Sequence, residues 1–150
     1  MKKEFVMRGQ TETGGTEVLE FGGKQKETKG MAYRLVEFIL YPSTGIGSNN
    51  DEMMGTVTAG KTAVDPSIPN FNNEGLIGVA QSSANASPAY PAFDRSVVND
   101  TFLITQNLIL MVQNVNAATP VNWQCRFEAV KMTDAEEAAT NYKQFAIFDE

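Results

Sequence analysis

Residues 55 to 62, GTVTAGKT, have the spacing G-x-x-x-x-G-K-[ST], the pattern in which backbone N–H groups and a lysine hold nucleotide phosphates. That chemistry requires a helix to open at the lysine so that its N-terminus faces the phosphate. Lys61 and Thr62 are instead followed by AVDPSIPNFNNEG, which puts Pro66 and Pro69 where the helix would take its second turn. A proline inside a helix costs about 3 kcal/mol. Thr56, Val57, Thr58 and Ala59 are strand formers, and the nearest downstream apolar run, LILMV, ends in Gln113 instead of a magnesium-holding aspartate. These flanks predict a strand that ends in a turn at Gly60.

The sequence contains no histidine and one cysteine, Cys125. Ser-His-Asp, Cys-His and His-metal chemistry are therefore excluded, as are an internal disulfide and a multi-cysteine metal site. Three acidic clusters could serve acid–base work: Asp51-Glu52, Asp134/Glu136/Glu137 and Asp149-Glu150. Nothing in the sequence sets two of these carboxylates across a cleft, and the second cluster fits a helix N-terminus. Asp65, Asn70, Asn72, Asn73 and Glu74 supply oxygen ligands in one loop, but without EF-hand spacing, so turn-forming Asx residues are expected there. Asn85-Ala86-Ser87 and Asn99-Asp100-Thr101 have the form of glycosylation acceptors, read as coincidence because no secretory signal is seen. No enzymatic activity, cofactor or metal is expected.

At 150 residues and 42% hydrophobic composition, the chain predicts one domain spanning 1–150. The net charge is −6. Residues 1–34 carry seven Lys or Arg against five Glu, and residues 35–150 carry five against thirteen Asp or Glu. No specific nucleic-acid partner is expected of so acidic a body. MKKEFVMRGQ has no apolar stretch behind its lysines, and the run Phe102 to Val112 is broken by Thr105, Gln106 and Asn107. A soluble chain that is not exported is the expectation.

Short apolar segments separated by Gly, Pro, Ser and Asn predict strands. In Val121 to Phe127, Val121, Trp123, Cys125 and Phe127 share one face, with Asn122, Gln124 and Arg126 on the other. The alternation breaks at Ala129-Val130, where a bulge or change of partner is expected. Further strands are expected at 4–8, 17–21, 31–41, 52–59, 76–80, 96–98 and 102–113. Met31 to Tyr41 is apolar on both faces apart from Arg34 and Glu37, as in a central strand covered on both sides. Thr133 and Glu136 form a capping box before AEEAATNY, so one short helix is expected, followed by a separate apolar tail, QFAIF. The long loops 42–50, 60–75 and 82–94 are rich in Pro, Gly, Ser and Asn. Together these features predict an all-β fold: a single jelly-roll-like β-sandwich with one short C-terminal helix.

The strings NDTFLITQNLILMVQN, PVNWQCRFEAVKMTDAEEA and NFNNEGLIGVA resemble virion components of tailless icosahedral bacteriophages that build shells from jelly rolls, over roughly residues 30 to 143. The resemblance implies a capsid or shell subunit, made in the host cytoplasm and built into the virion, that forms homo-oligomers and contacts other virion proteins through loops and chain ends. It carries over no catalytic residue. The basic genome-binding arm of many small-virus coat proteins is reduced here to Lys2, Lys3 and Arg8, so the shell is expected to enclose proteins or a membrane. Apolar side chains in loops and at the C-terminus are the expected interface: Ile68, Phe71, Tyr90, Phe93, Phe145, Ile147 and Phe148. The alternative function is a carbohydrate-binding module, for which Tyr33, Tyr41, Tyr90 and Trp123 are the candidate sugar-stacking rings.

Overall fold

The computed structural model describes residues 3–21, 31–45, 50–84 and 93–148, except the side chains of residues 144–146 and 148. Among these residues eight strands run in chain order as β1 (Lys3–Thr11), β2 (Thr16–Leu19), β3 (Met31–Pro42), β4 (Asp51–Ala59), β5 (Leu76–Ala84), β6 (Phe93–Val98), β7 (Leu108–Asn114) and β8 (Val121–Lys131). Among the described residues one helix, α1 (Asp134–Phe148), follows.

Two antiparallel sheets pack face to face, one ordered β1-β8-β3 and the other β2-β7-β4-β5-β6. First strand pairs with last, second with last but one, and β4 with β5, the nesting produced when one long antiparallel ribbon is rolled up. Three of the four strand pairs of a jelly-roll ribbon are thus present. The pair such a ribbon would also join, β3 and β6, lie side by side without a ladder, and β6 is held by β5 instead.

The core is the space between the sheets. Phe127 is fully buried and takes Phe21 edge-on at 4.9 Å and Phe5 stacked at 5.4 Å between ring centroids. Val121, Trp123, Cys125 and Phe127 all point inward, as their alternation predicts. The sheets approach closely at Gly78, where a Cβ would stand 2.8 Å from Leu35 Cδ2, so a larger residue would push them apart.

Four expectations are corrected. β3 is not a central strand covered on both sides: its outer face stays open, with Ile39 and Tyr41 exposed. The strands buried on both faces are β4 and β5; over β4, loop 60–75 folds back and Thr56 Oγ1 donates to the Val64 carbonyl at 2.6 Å. The irregularity expected at Ala129-Val130 lies elsewhere, since β8 keeps its register there and Val36 of β3 is the bulged residue. Residues 102–107 are not strand. Ile104 makes a single bridge to Tyr33, and Asn107 Oδ1 accepts from the Phe21 N–H at 2.7 Å, which draws this segment across the sandwich. At the C-terminus QFAIF is no separate tail but the end of α1, because neither Gly nor Pro interrupts the helix before Phe148.

Candidate interaction surfaces

The phosphate-loop match falls in β4 and the turn after it. Gly55 to Thr58 are laddered to β5 on one side and β7 on the other. Their amides are spent in the sheet and cannot converge on a phosphate. Gly60 turns the chain with φ near +142°, and Lys61 and Thr62 point to solvent. The expected strand and turn are what is found.

Loop 60–75 owes its shape to Asx turns. Asp65 Oδ1 accepts from the Ser67 N–H at 2.9 Å and from Ser67 Oγ at 2.7 Å. These bonds, the backbone one first, hold the Asp65 carboxyl below its ordinary pKa. Asn70 Oδ1 accepts from the Asn72 N–H at 3.0 Å and Asn73 Oδ1 from the Gly75 N–H at 2.9 Å. Three of the five side chains that suggested calcium, Asp65, Asn70 and Asn73, are thus turned onto their own backbone, and no group of three or more His, Cys, Asp or Glu placed to hold a metal occurs among the described residues.

Asp51 and Glu52 are adjacent in β4 and differ in setting: Asp51 is buried and Glu52 is exposed. Asp51 Oδ1 accepts from Asn114 Nδ2 at 2.9 Å, and its Oδ2 from Thr44 Oγ1 at 3.2 Å. Asn114 Oδ1 accepts in turn from the Glu52 N–H at 3.2 Å, and the Asn114 N–H donates to Thr13 Oγ1 at 2.8 Å. This knot ties the β1–β2, β3–β4 and β7–β8 connections together at one end of the sandwich. The second acidic cluster opens α1, with the Glu136 N–H donating to Thr133 Oγ1 at 3.2 Å, as the capping box predicts. Asp149-Glu150 lies outside the described residues. Cys125 is sealed in the core, and burial pushes its thiol far above the ordinary range, which leaves it unreactive.

Of the expected interface residues, Ile68, Phe71 and Phe93 are exposed, at 73%, 65% and 49%. Ile147 is half-buried, with its Cγ2 against Gly60 and Gly75 at the base of loop 60–75. Tyr90 and the side chains of Phe145 and Phe148 lie outside the described residues. The fold adds Val97 of β6, exposed at 58%: Phe71 and Val97 line one shallow cavity of about 320 Å³ with Leu76, Val79 and Val98. Ile68, on the same loop as Phe71, lies nearby in the chain. Sequence periodicity had no means of pairing loop 60–75 with the last strand of the sheet.

Three of the four sheet edges are guarded. β1 carries Glu4 and Arg8 on its exposed face, β2 is four residues long, and β6 carries Asp94 and Arg95. Such edges discourage uncontrolled sheet-to-sheet pairing. Among the described residues no helix is long and apolar enough to cross a membrane.

No protein-family model matches the chain, and a search of curated proteins finds none similar to it.

Proposed function

We propose that the protein is a structural subunit of a virion shell, assembling with copies of itself and with other virion proteins. The nested, jelly-roll-like pairing of β1 with β8, β2 with β7 and β4 with β5, combined with an apolar surface at loop 60–75 and β6, carries the reading. Ile68 and Phe71 stand in water on a loop whose turns are fixed by hydrogen bonds, so covering them costs little ordering entropy. That is the economy expected of an assembly surface, and the resemblance to shell-forming jelly rolls of tailless phages supports the virion setting.

The experiment is sedimentation of the purified chain across a range of concentrations, beside Ile68→Ser/Phe71→Ser. Concentration-dependent association by the wild type, lost in the double variant at an unchanged melting temperature, is the expected result. A wild type that stays monomeric throughout counts against the proposal.

A further inference from the structure

The bulge at Val36 sends Ile39 and Tyr41 to the outer face of the three-stranded sheet, where Tyr41 is 68% exposed. Cross-strand register sets Tyr41 beside Asn122 and then Gln10, and Ile39 beside Gln124 and then Arg8. Gln10 Nε2 donates to Asn122 Oδ1 at 2.9 Å, and Asn122 Nδ2 donates to the Pro42 carbonyl at 3.3 Å, so these amides are oriented. Ile39 and Tyr41 are shared by two shallow clefts. One, of about 440 Å³, runs over Arg8, Asn122 and Gln124. The other, of about 300 Å³, runs toward Gln81, Asp94 and Arg95 on the other sheet.

We propose that this trough binds a neutral oligosaccharide, with Tyr41 as the stacking ring and Gln10, Asn122 and Gln124 as partners for sugar hydroxyls. A pyranose ring has one C–H face and a rim of hydroxyls that both donate and accept. An aromatic ring beside side-chain amides answers each of these needs. Tyr41 sits within a strand and has few torsions to freeze, so its exposure is cheap to use. Charge along the trough is mixed, which favours a neutral ligand over a strongly acidic or basic one: Arg8 lines the near cleft, and on the far side Asp94 and Arg95 are of opposite sign, with Arg95 Nε donating to Gln81 Oε1 at 2.7 Å and Asp94 accepting from Ser82 Oγ. Two open clefts meeting at one ring suit an extended chain better than a compact ligand. Of the rings considered for stacking on sugar, Tyr33 and Trp123 are buried, whereas Tyr41 is exposed on a sheet face that also carries the side-chain amides of Gln10, Asn122 and Gln124. The site is independent of the shell assignment.

The test is titration of the intact chain with maltohexaose, cellohexaose and chitohexaose, and with an oligogalacturonate as the acidic counterpart, followed by calorimetry and by NMR. Binding of at least one neutral chain is expected. Tyr41→Ala should weaken it about tenfold and Tyr41→Phe by less than about threefold, as the loss or retention of one aromatic contact requires. Tyr142→Ala, which alters an exposed tyrosine on α1, should change nothing. Gln124→Ala supplies a second reading should Tyr41→Ala fold poorly, and it too should weaken binding. The proposal is overturned if no sugar binds at about 10 mM, if Tyr41→Ala binds as the wild type does, or if only the acidic chain binds. It is equally overturned if Tyr41→Ala abolishes self-association without sugar, since the face is then a contact between copies.

Discussion

The two ends of the sandwich use the same residue types to opposite effect. At one end Asp51, Asn114, Thr13 and Thr44 bond across the chain, joining positions as far apart as 101 residues, and the polar groups are turned inward. At the other, in loop 60–75, Asp65, Asn70 and Asn73 each bond to a backbone N–H two residues ahead. The inward knot leaves little for a partner to touch. The local turns need no interior, so the same loop can hold Ile68 and Phe71 out in water. Long-range polar ties and local ones therefore divide the labour: the first close one end of the sandwich, and the second shape a surface.

Mutation should separate the two sets of bonds. The largest loss is expected for Asn114→Ala, which strips the buried Asp51 carboxylate of a donor and the Glu52 N–H of its acceptor. It should cost about 2–4 kcal/mol in urea unfolding, with the whole domain affected. Thr56→Val removes the bond that fastens loop 60–75 to β4. About 1 kcal/mol is expected, with faster proteolysis confined to that loop as the discriminating measurement. Asn70→Ala should fall below about 0.5 kcal/mol, because an exposed turn bond is readily replaced by water. A global loss as large as that of Asn114→Ala would erase the distinction.

The smallest effect is electrostatic. Asp65 is held below 3.8, the ordinary value for an aspartate carboxyl, so its contribution is present above 3.8 and is lost as the pH falls through the lower, folded-state value. Titration of its carboxyl carbon by NMR should give a midpoint under 3.8. Ser67→Ala should raise the midpoint only in part, since the backbone N–H of residue 67, the larger cause, remains. A midpoint at or above 3.8 in the wild type would contradict the turn geometry.

Where one face of an element is wet and the other dry, the sequence is readable. β8 is such a case, with Trp123, Cys125 and Phe127 in and Asn122, Gln124 and Arg126 out. β4 is not, because loop 60–75 buries Thr56 and Thr58 on the face that would otherwise be polar and exposed. In β3 the string Leu35-Val36-Glu37-Phe38-Ile39-Leu40 suits either parity, and only the pairing with β8 decides. The surface followed the same rule. Ile68 and Phe71 were conspicuous as apolar residues among prolines, whereas Val97 joins them only through the order of strands, and Tyr41 faces outward only through a bulge.

That bulge also marks where the chain can tolerate a change of length. Leu35 stands opposite Phe127 and Glu37 opposite Arg126, so Val36 is the one residue of β3 between them with no counterpart in β8. Excising it would leave Phe38 opposite Cys125 and Leu40 opposite Trp123, with every later side chain on its present face. Excising Ile39 instead would shift the remainder of the strand by one and turn Leu40 outward and Tyr41 inward. A single-residue deletion is thus tolerated at Val36 and ruinous at Ile39. Among homologous chains, length differences of one residue in this strand should cluster at position 36, where evolution can add or subtract a codon without reversing the exterior of the sheet.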